Sequence, residues 1–316
     1  MKGRFIMKKR ILVVSSANLD FVLNMKRVPG AGETVIDMGS YDHVPGGKGA
    51  NAAVAVSRLD GDCVFCTRLG NDANGKMLKQ FYSECGIDTR FVITDKTAST
   101  GLAAIMVESN GMNRIVVYPG ANMNLCDDDV EEAFMCYPDA LFVNFEIPSE
   151  TVFTACEYAK KQEIPIFIDA GPADKSIRLD LLPPIEIFSP NESETYAFTG
   201  IEPTSMENCL RAASALYKKM NVKYIVIKLG ERGCFIYDGI HYHLCAPFET
   251  VAVDSTAAGD AFTAALALEY LRCGDILSAC SYANAVGSIV VSMPGASSSI
   301  PTEEKVRKFL KSQDSI

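Results

Sequence analysis

The chain has 316 residues, 48% hydrophobic and 22% charged, which suits one large buried core in a globular protein. Its net charge of −9 argues against nucleic acid or an anionic membrane as the main partner. Phosphate ligands stay possible, because local backbone N–H groups hold them whatever the net charge.

The N-terminus MKGRFIMKKR is basic, but the apolar run behind it, Ile11 to Val14, is too short for a signal-peptide core. No stretch reaches the ~18 apolar residues of a membrane helix, so a cytoplasmic location is expected. The 11 cysteines are an odd number, scattered through apolar runs, and read as reduced thiols. Cys63-x-x-Cys66 has no second such pair and reads as a buried strand, its cysteines acting as small hydrophobes.

Helix and strand patterns alternate through the chain. Ile11 to Ser15 reads as a buried strand, Ala50 to Leu59 as a helix, Cys63 to Thr67 as a strand and Gly75 to Cys85 as a helix closed by Gly86. Further on, Ala140 to Asn144 is a strand, Glu150 to Lys161 a helix, and Pro165 to Asp169 and Tyr224 to Lys228 are strands. Two helices, Ala258 to Leu271 and Asp275 to Val291, finish the core. Strands separated by helices predict an α/β fold, a mostly parallel sheet covered on both faces.

Two segments break the rhythm. Thr34 to Val44 alternates like a half-exposed strand, and Gly101 to Glu108 and Asn113 to Tyr118 flank the turn signal Ser109-Asn110-Gly111. These predict a small antiparallel β lid, from about 18–45 and 98–120, on a single domain covering 1–316. Its free edges invite pairing with a second copy, so a homodimer through the lid is expected. Another hairpin, Cys234 to Tyr237 and Tyr242 to Cys245, is expected to extend the main sheet edge.

Three patterns are set aside. Gly70 to Met77 nearly matches a P-loop but places Met77 where Ser or Thr would hold Mg²⁺, and reads as a strand-to-helix turn. Gly47-x-Gly49-x-x-Ala52 fits a loose dinucleotide fingerprint, but it follows the lid strand rather than the first core strand. His241-x-His243 lies in a hairpin without a third ligand nearby, which makes zinc hydrolysis improbable.

The strongest chemical signal is Asp254-Ser-Thr-Ala-Ala-Gly259-Asp260, running into a helix. Small residues at a helix start let backbone N–H groups reach an anion, and the helix end adds partial positive charge. Together they suit an anion hole for a transferring phosphoryl group, with Asp260 placed to accept a hydroxyl proton. Taken alone, Asp260 fits equally well as a first-turn acid.

Pro45-Gly46-Gly47-Lys48-Gly49-Ala50-Asn51 opens the next helix, where Asn51 can donate to and accept from hydroxyls. Asn18 and Asp20, just past the first strand, lie where open α/β sheets bind ligands and suit vicinal hydroxyls. Asn191-Glu-Ser-Glu194 reads, by itself, as an N-cap with first-turn acids.

With GGKGANAA and DSTAAGD in this order and separation, the chain resembles the ribokinase family of carbohydrate kinases over nearly its whole length. Asn18-x-Asp20, Gly32-Glu-Thr-Val35, Asn144-Phe-Glu146, PNESE and Gly295-Ala-Ser-Ser-Ser299 add to the likeness.

The resemblance implies transfer of the ATP γ-phosphoryl to the 5-hydroxyl of D-ribose, with 2-deoxyribose, fructose or a nucleoside such as adenosine as alternatives. It implies that Asn18, Asp20, Gly46, Gly47, Lys48, Asn51 and Glu146 hold the sugar, and that Asp260 is the base. Ala257, Ala258 and Gly259 would form the anion hole. Asn191 and Glu194 would face the phosphates and hydrated Mg²⁺. Lys228, Gly230, Gly233 and Gly259 would border the nucleotide, with Asn284 against adenine.

Asp254, Thr256, Val290, Met293, Gly295 and Ser299 would surround an activating K⁺, largely through carbonyls. Lys228 replaces a common small hydroxyl residue and Met293 a common basic one; Lys228 could bring charge near the phosphates. Two rival readings stand beside this one. A nucleoside kinase predicts aromatic lid lining, with Phe21 and Tyr41 as candidates. A silent sugar-binding regulator predicts loss of the base or the anion hole, and both are present.

Overall fold

The computed structural model describes residues 8–110 and 112–313; Gly111 of the lid turn and the basic 1–7 segment lie outside the described residues. The chain begins with β1 (Arg10–Val14), β2 (Asn18–Met25), β3 (Tyr41–Gly46), α1 (Lys48–Arg58), β4 (Asp62–Gly70), α2 (Ala73–Glu84) and β5 (Val92–Asp95). It continues through β6 (Gly101–Glu108), β7 (Asn113–Tyr118), α3 (Asp127–Ala133), β8 (Ala140–Val143), α4 (Ser149–Lys161), β9 (Ile166–Asp169) and β10 (Ile185–Ser189). It closes with α5 (Glu192–Thr199), α6 (Met206–Lys219), β11 (Val222–Lys228), β12 (Cys234–Tyr237), β13 (Tyr242–Cys245), α7 (Ala258–Cys273), α8 (Ile276–Val291) and α9 (Glu303–Gln313).

One sheet has the order β13-β12-β11-β10-β9-β8-β1-β4-β5, parallel except for the terminal hairpin. Side chains alternate across a strand. Ile11 and Val13 of β1 therefore join one core with α1, α7 and α8, while Leu12 and Val14 join another with α4 and α6. Burial on both faces explains the continuous apolar runs in the sequence. Cys63 and Cys66, three residues apart on β4, fall on opposite faces, which keeps them from pairing; both are buried.

A second, smaller sheet has the order β3-β2-β6-β7. Its β2–β3 and β6–β7 pairs are antiparallel and its central β2–β6 pair is parallel. The hairpins β6–β7 and β12–β13 and the turn from Gly70 into α2 form where the sequence patterns place them; Asp72 caps α2 by accepting the Gly75 N–H at 2.7 Å.

The structure departs from sequence expectation in the smaller sheet. Its strand covers Tyr41–Gly46 only, and residues 34–40 are irregular, with Ile36 and Met38 more than 90% exposed. The Asp37 carboxylate ties this loop by accepting the Lys26 and Gly39 N–H groups, and no element among the described residues covers Ile36 or Met38. Asn18 and Asp20, just past the first strand and within the expected lid, begin β2 of this sheet. The core also has a further closing helix: α9 follows α8 and buries Val306.

Candidate active site

The carboxyl ends of β1, β8, β9, β10 and β11 converge on one region, where the starts of α1 and α7 also meet. Gly47, at φ 90°, caps α1; a Cβ there would stand 2.8 Å from the Asn18 nitrogen, so only glycine lets the two chain segments meet. The Lys48 N–H donates to Glu146 Oε2 at 3.0 Å, and the Ser16 hydroxyl donates to the same oxygen. Asn144 accepts the Glu146 N–H at 3.1 Å and the Ser15 hydroxyl at 2.6 Å. This second layer fixes the Glu146 carboxylate. Burial then pushes its pKa up, against the Ser16 bond and the Lys48 charge.

Asn18 is held through Asn122, whose amide donates to Asn18 Oδ1 at 2.8 Å and accepts the Ala17 N–H at 2.9 Å. Asp20 is 8% exposed, and its carboxylate accepts no hydrogen bond among the described residues. Burial first, then the charges of Glu146 and Asp260, push it up to about 7. A Cβ on Gly46 would meet Asp20 Oδ2 at 2.0 Å, so the glycine makes room for the carboxylate.

At the start of α7, Ala257 is left-handed at φ 63° and no side chain caps the helix. A non-glycine residue there is strained, and uncapped first-turn N–H groups suit an anion. Asp260 in that turn is buried and accepts the Asn51 amide at 2.9 Å. Asn51 Oδ1 is buried and has no partner among the described residues. Lys48 Nζ lies 3.6 Å from Asp260 Oδ1 and 3.9 Å from Glu194 Oε1. Burial raises the Asp260 pKa while Lys48 opposes the rise; Asp260 in turn is the main cause of a raised Lys48 pKa.

The sugar-site candidates Asn18, Asp20, Gly46, Gly47, Lys48, Asn51 and Glu146 thus gather around Asp260. A cavity of about 580 Å³ opens beside them, bounded by Asn18 and Glu146 and continuing along Val117, Met123, Phe145 and Ile177. The cross-strand register sets Asn18 and Asp20 on one face of β2 and Phe21, with its partners Tyr41 and His43, on the other. Phe21 and Tyr41 therefore do not line the face that carries Asp20.

The nucleotide-side candidates form two groups. Asn191 and Glu194 make a capping box on α5: Asn191 accepts the Glu194 N–H at 2.8 Å, and Glu194 accepts that of Asn191 at 2.8 Å. Glu194 still reaches Lys48 across the site. Farther out, the turn from Leu229 to Gly233 is closed by the Leu229 N–H donating to Gly233. A Cβ on Gly233 would stand 2.1 Å from the Cys245 carbonyl. Asn284 donates to the carbonyls of Cys245, at 3.2 Å, and Ala246, at 2.9 Å, which draws this loop onto α8.

Lys228 is buried and committed: Nζ donates to Asp169 Oδ2 at 2.9 Å and to the Thr263 hydroxyl at 3.1 Å.

Asp254 joins the loop before α7 to the one after α8. It accepts the Thr256 N–H at 2.9 Å and hydroxyl at 2.6 Å, and the Gly295 N–H at 2.9 Å. Although burial raises its pKa, these bonds hold it below the usual value. Met293 donates to the Val290 carbonyl, and Arg58 binds the carbonyls of Ser297, Ser298 and Ile300 on either side of Ser299.

Asp169, Thr263, Ser15, Ser16 and Asn122 escaped sequence reading as site residues, while Asn144 stood out only as part of Asn144-Phe-Glu146. Their signal is only positional, at strand ends or inside a helix, and single polar residues there do not stand out.

A family model described as pfkB family carbohydrate kinase matches residues 8–303. A ribokinase from Haemophilus influenzae is 33% identical over 96% of this chain and 99% of that protein. A bifunctional ribokinase/ribose-5-phosphate isomerase A from Fructilactobacillus sanfranciscensis is 36% identical over 94% of this chain, which spans only 55% of that longer protein. The solved structure of Arabidopsis thaliana ribokinase complexed with ribose and ATP aligns with a TM-score of 0.89 and 32% identity, covering 96% of this chain and 99% of that one.

Proposed function

The chain belongs to the pfkB family of carbohydrate kinases, and we propose that it transfers the γ-phosphoryl group of ATP to the 5-hydroxyl of D-ribose. The observation that carries this reading is a pair of acceptors beside Asp260, the buried Asn51 Oδ1 and the largely buried Asp20 carboxylate, with no donor among the described residues. Buried acceptors left unpaired are costly, and sugar hydroxyls are the donors that would satisfy them.

With the secondary hydroxyls on Asn18, Asp20, Gly46, Gly47 and Asn51, and Glu146 at the far side of the ring, the primary alcohol points at Asp260. Asp260 takes the hydroxyl proton as the oxygen attacks the γ-phosphorus. The bond from the γ-phosphorus to the β–γ bridging oxygen breaks, and ADP leaves. The N–H groups of Ala257, Ala258 and Gly259 at the α7 start, together with Lys48, meet the charge in transit. Burial raises the Asp260 pKa, and Lys48 is the first charge that opposes the rise.

Asn191 and Glu194 face the phosphates, Gly230 and Gly233 border the nucleotide, and Asn284 holds the loop on its adenine side. Mg²⁺ bound with ATP would neutralise phosphate charge, and the acidic oxygen of Glu194 is a fitting partner for its hydration shell.

The loop pair joined by Asp254 fits a monovalent cation such as K⁺. The flanking carbonyls are taken by Arg58, while those of Met293, Gly295 and Ser299 accept no donor among the described residues outside helices. Oxygen donors of this kind suit a hard cation. Such a cation, with Thr256 and Val290 in its shell, would order the turn leading into the anion hole.

The smaller sheet acts as a lid over the sugar within a single kinase domain. Its edge strands and exposed Ile36, Met38 and Tyr41 suit pairing with a second copy as a homodimer. No helix among the described residues is long and apolar enough to cross a membrane. A cytoplasmic location rests instead on the 11 cysteines, which fit reduced thiols.

A coupled ADP-release assay across D-ribose, 2-deoxyribose, fructose and adenosine tests the reading. D-ribose should give the highest kcat/KM; adenosine or fructose outperforming it would move the chain to another branch of the family.

A further inference from the structure

Lys228 occupies an unusual place. An ammonium has three donors. Two are taken, by Asp169 Oδ2 at 2.9 Å and Thr263 Oγ at 3.1 Å, and the third has no acceptor among the described residues. A Cβ built on Gly259 would stand 3.7 Å from Lys228 Nζ, so the ammonium lies against the first turn of α7 at the anion-hole glycine. The same threonine hydroxyl donates to Asp169 at 2.8 Å and lies 3.1 Å from the Gly259 carbonyl. Lysine, aspartate, threonine and helix start are one network.

Lys48 reaches Asp260 and Glu194 from the α1 side. The two lysines thus approach the path of the phosphoryl group from different elements. Burial raises the Glu194 pKa, and Lys228 is the first charge that opposes the rise, ahead of Lys48.

A buried ion pair adds little stability over an apolar pair of the same shape. Stability alone therefore does not explain burying Asp169 and Lys228 here.

We propose that Lys228 is a second cation of the phosphoryl-transfer site, positioned by Asp169 and Thr263 to stabilise charge on the γ-phosphoryl group as it passes the start of α7. The proposal rests on the kinase reading above. Asp169 and Thr263 are positioning residues; they orient the ammonium and touch no substrate.

Lys228→Met alone would leave Asp169 buried and unpaired and would risk the fold. The test therefore uses Lys228→Met/Asp169→Asn, which removes both charges, with Asp169→Asn as control. Thermal melting confirms folding of each. The double variant should lose about 100-fold in kcat, the scale of removing one preorganised charge-stabilising group, with KM for ATP and sugar nearly unchanged. Asp169→Asn keeps an acceptor for the ammonium but loosens its position, so it should lose kcat by roughly 10-fold, clearly less than the double variant.

Calorimetry should show the double variant losing affinity for MgADP–aluminium fluoride, which mimics the group in transit, far more than for MgADP. A double variant with wild-type kcat and fluoroaluminate affinity would overturn the proposal. So would an Asp169→Asn variant as slow as the double, which would place the role on the carboxylate. A wild-type enzyme that phosphorylates no sugar would sink the kinase reading instead, and fluoroaluminate affinity would still decide Lys228.

Discussion

Replacing Asp20 by asparagine separates what the carboxylate does for the sugar from what its burial costs the fold. Burial and the charges of Glu146 and Asp260 move its pKa from the ordinary 3.8 to about 7. Between these values the folded protein keeps a proton that the unfolded chain releases. The native state then binds more protons, and stability falls as pH rises through the window. At about 1.4 kcal/mol per pH unit, the full effect above pH 7 is roughly 4 kcal/mol.

An amide at this position carries no charge and escapes this loss. At pH 8 the Asp20→Asn protein should melt about 5 °C above wild type, and the gap should shrink by more than half at pH 5. Scanning calorimetry is the suitable assay, since the chain has no tryptophan to report unfolding by fluorescence. The same variant should raise KM for the sugar roughly 10- to 100-fold, the range for losing a hydrogen bond to a charged group, with little change in KM for ATP. A melting gap of the same size at pH 5 and pH 8, or a variant less stable than wild type at pH 8, would refute the reasoning.

Asp260→Asn should keep the fold and ATP binding but lose ~10²–10⁴-fold in kcat; retention of more than about a third of the wild-type rate would remove it as the base. Replacing K⁺ by tetramethylammonium at constant ionic strength should slow turnover, and equal rates in the two salts would dismiss the cation at the Asp254 loop. Sedimentation should find a dimer at micromolar concentration; a monomer would count against pairing through the smaller sheet.

Much of the fold is legible because the inner strands of the main sheet, β1, β8 and β9 among them, are buried on both faces. Ile11 to Val14, Ala140 to Val143 and the helix after Asp260 read as elements from composition alone. The smaller sheet is harder. Its strands are only partly buried, and Asn18 and Asp20 are polar at the start of β2, so the pattern shows a lid segment there without the strand itself.

Residues 34–40 fail in the opposite way: they alternate without an element to cover them. α9 buries only Val306 and leaves a weak apolar signal. In the site, the glycine-rich segment and the α7 start announce themselves because backbone approach to an anion restricts residue type. Asn122 and Asp169 do not, because what they do depends on which distant segment folds against them. Lys228 is visible in sequence as an oddity, but its commitment to Asp169 and Thr263 appears only when β9, β11 and α7 are brought together.

In the proposed reaction Asp260 directs the γ-phosphoryl group of ATP to the primary hydroxyl of D-ribose. Phosphorus-31 NMR of the product, with carbon-labelled D-ribose and with wild-type and Asp260→Asn enzymes side by side, measures this directly. Wild type should give a phosphomonoester at C5, and the variant almost none. Phosphate at C1, or C5 product formed at equal rates by both enzymes, would contradict it.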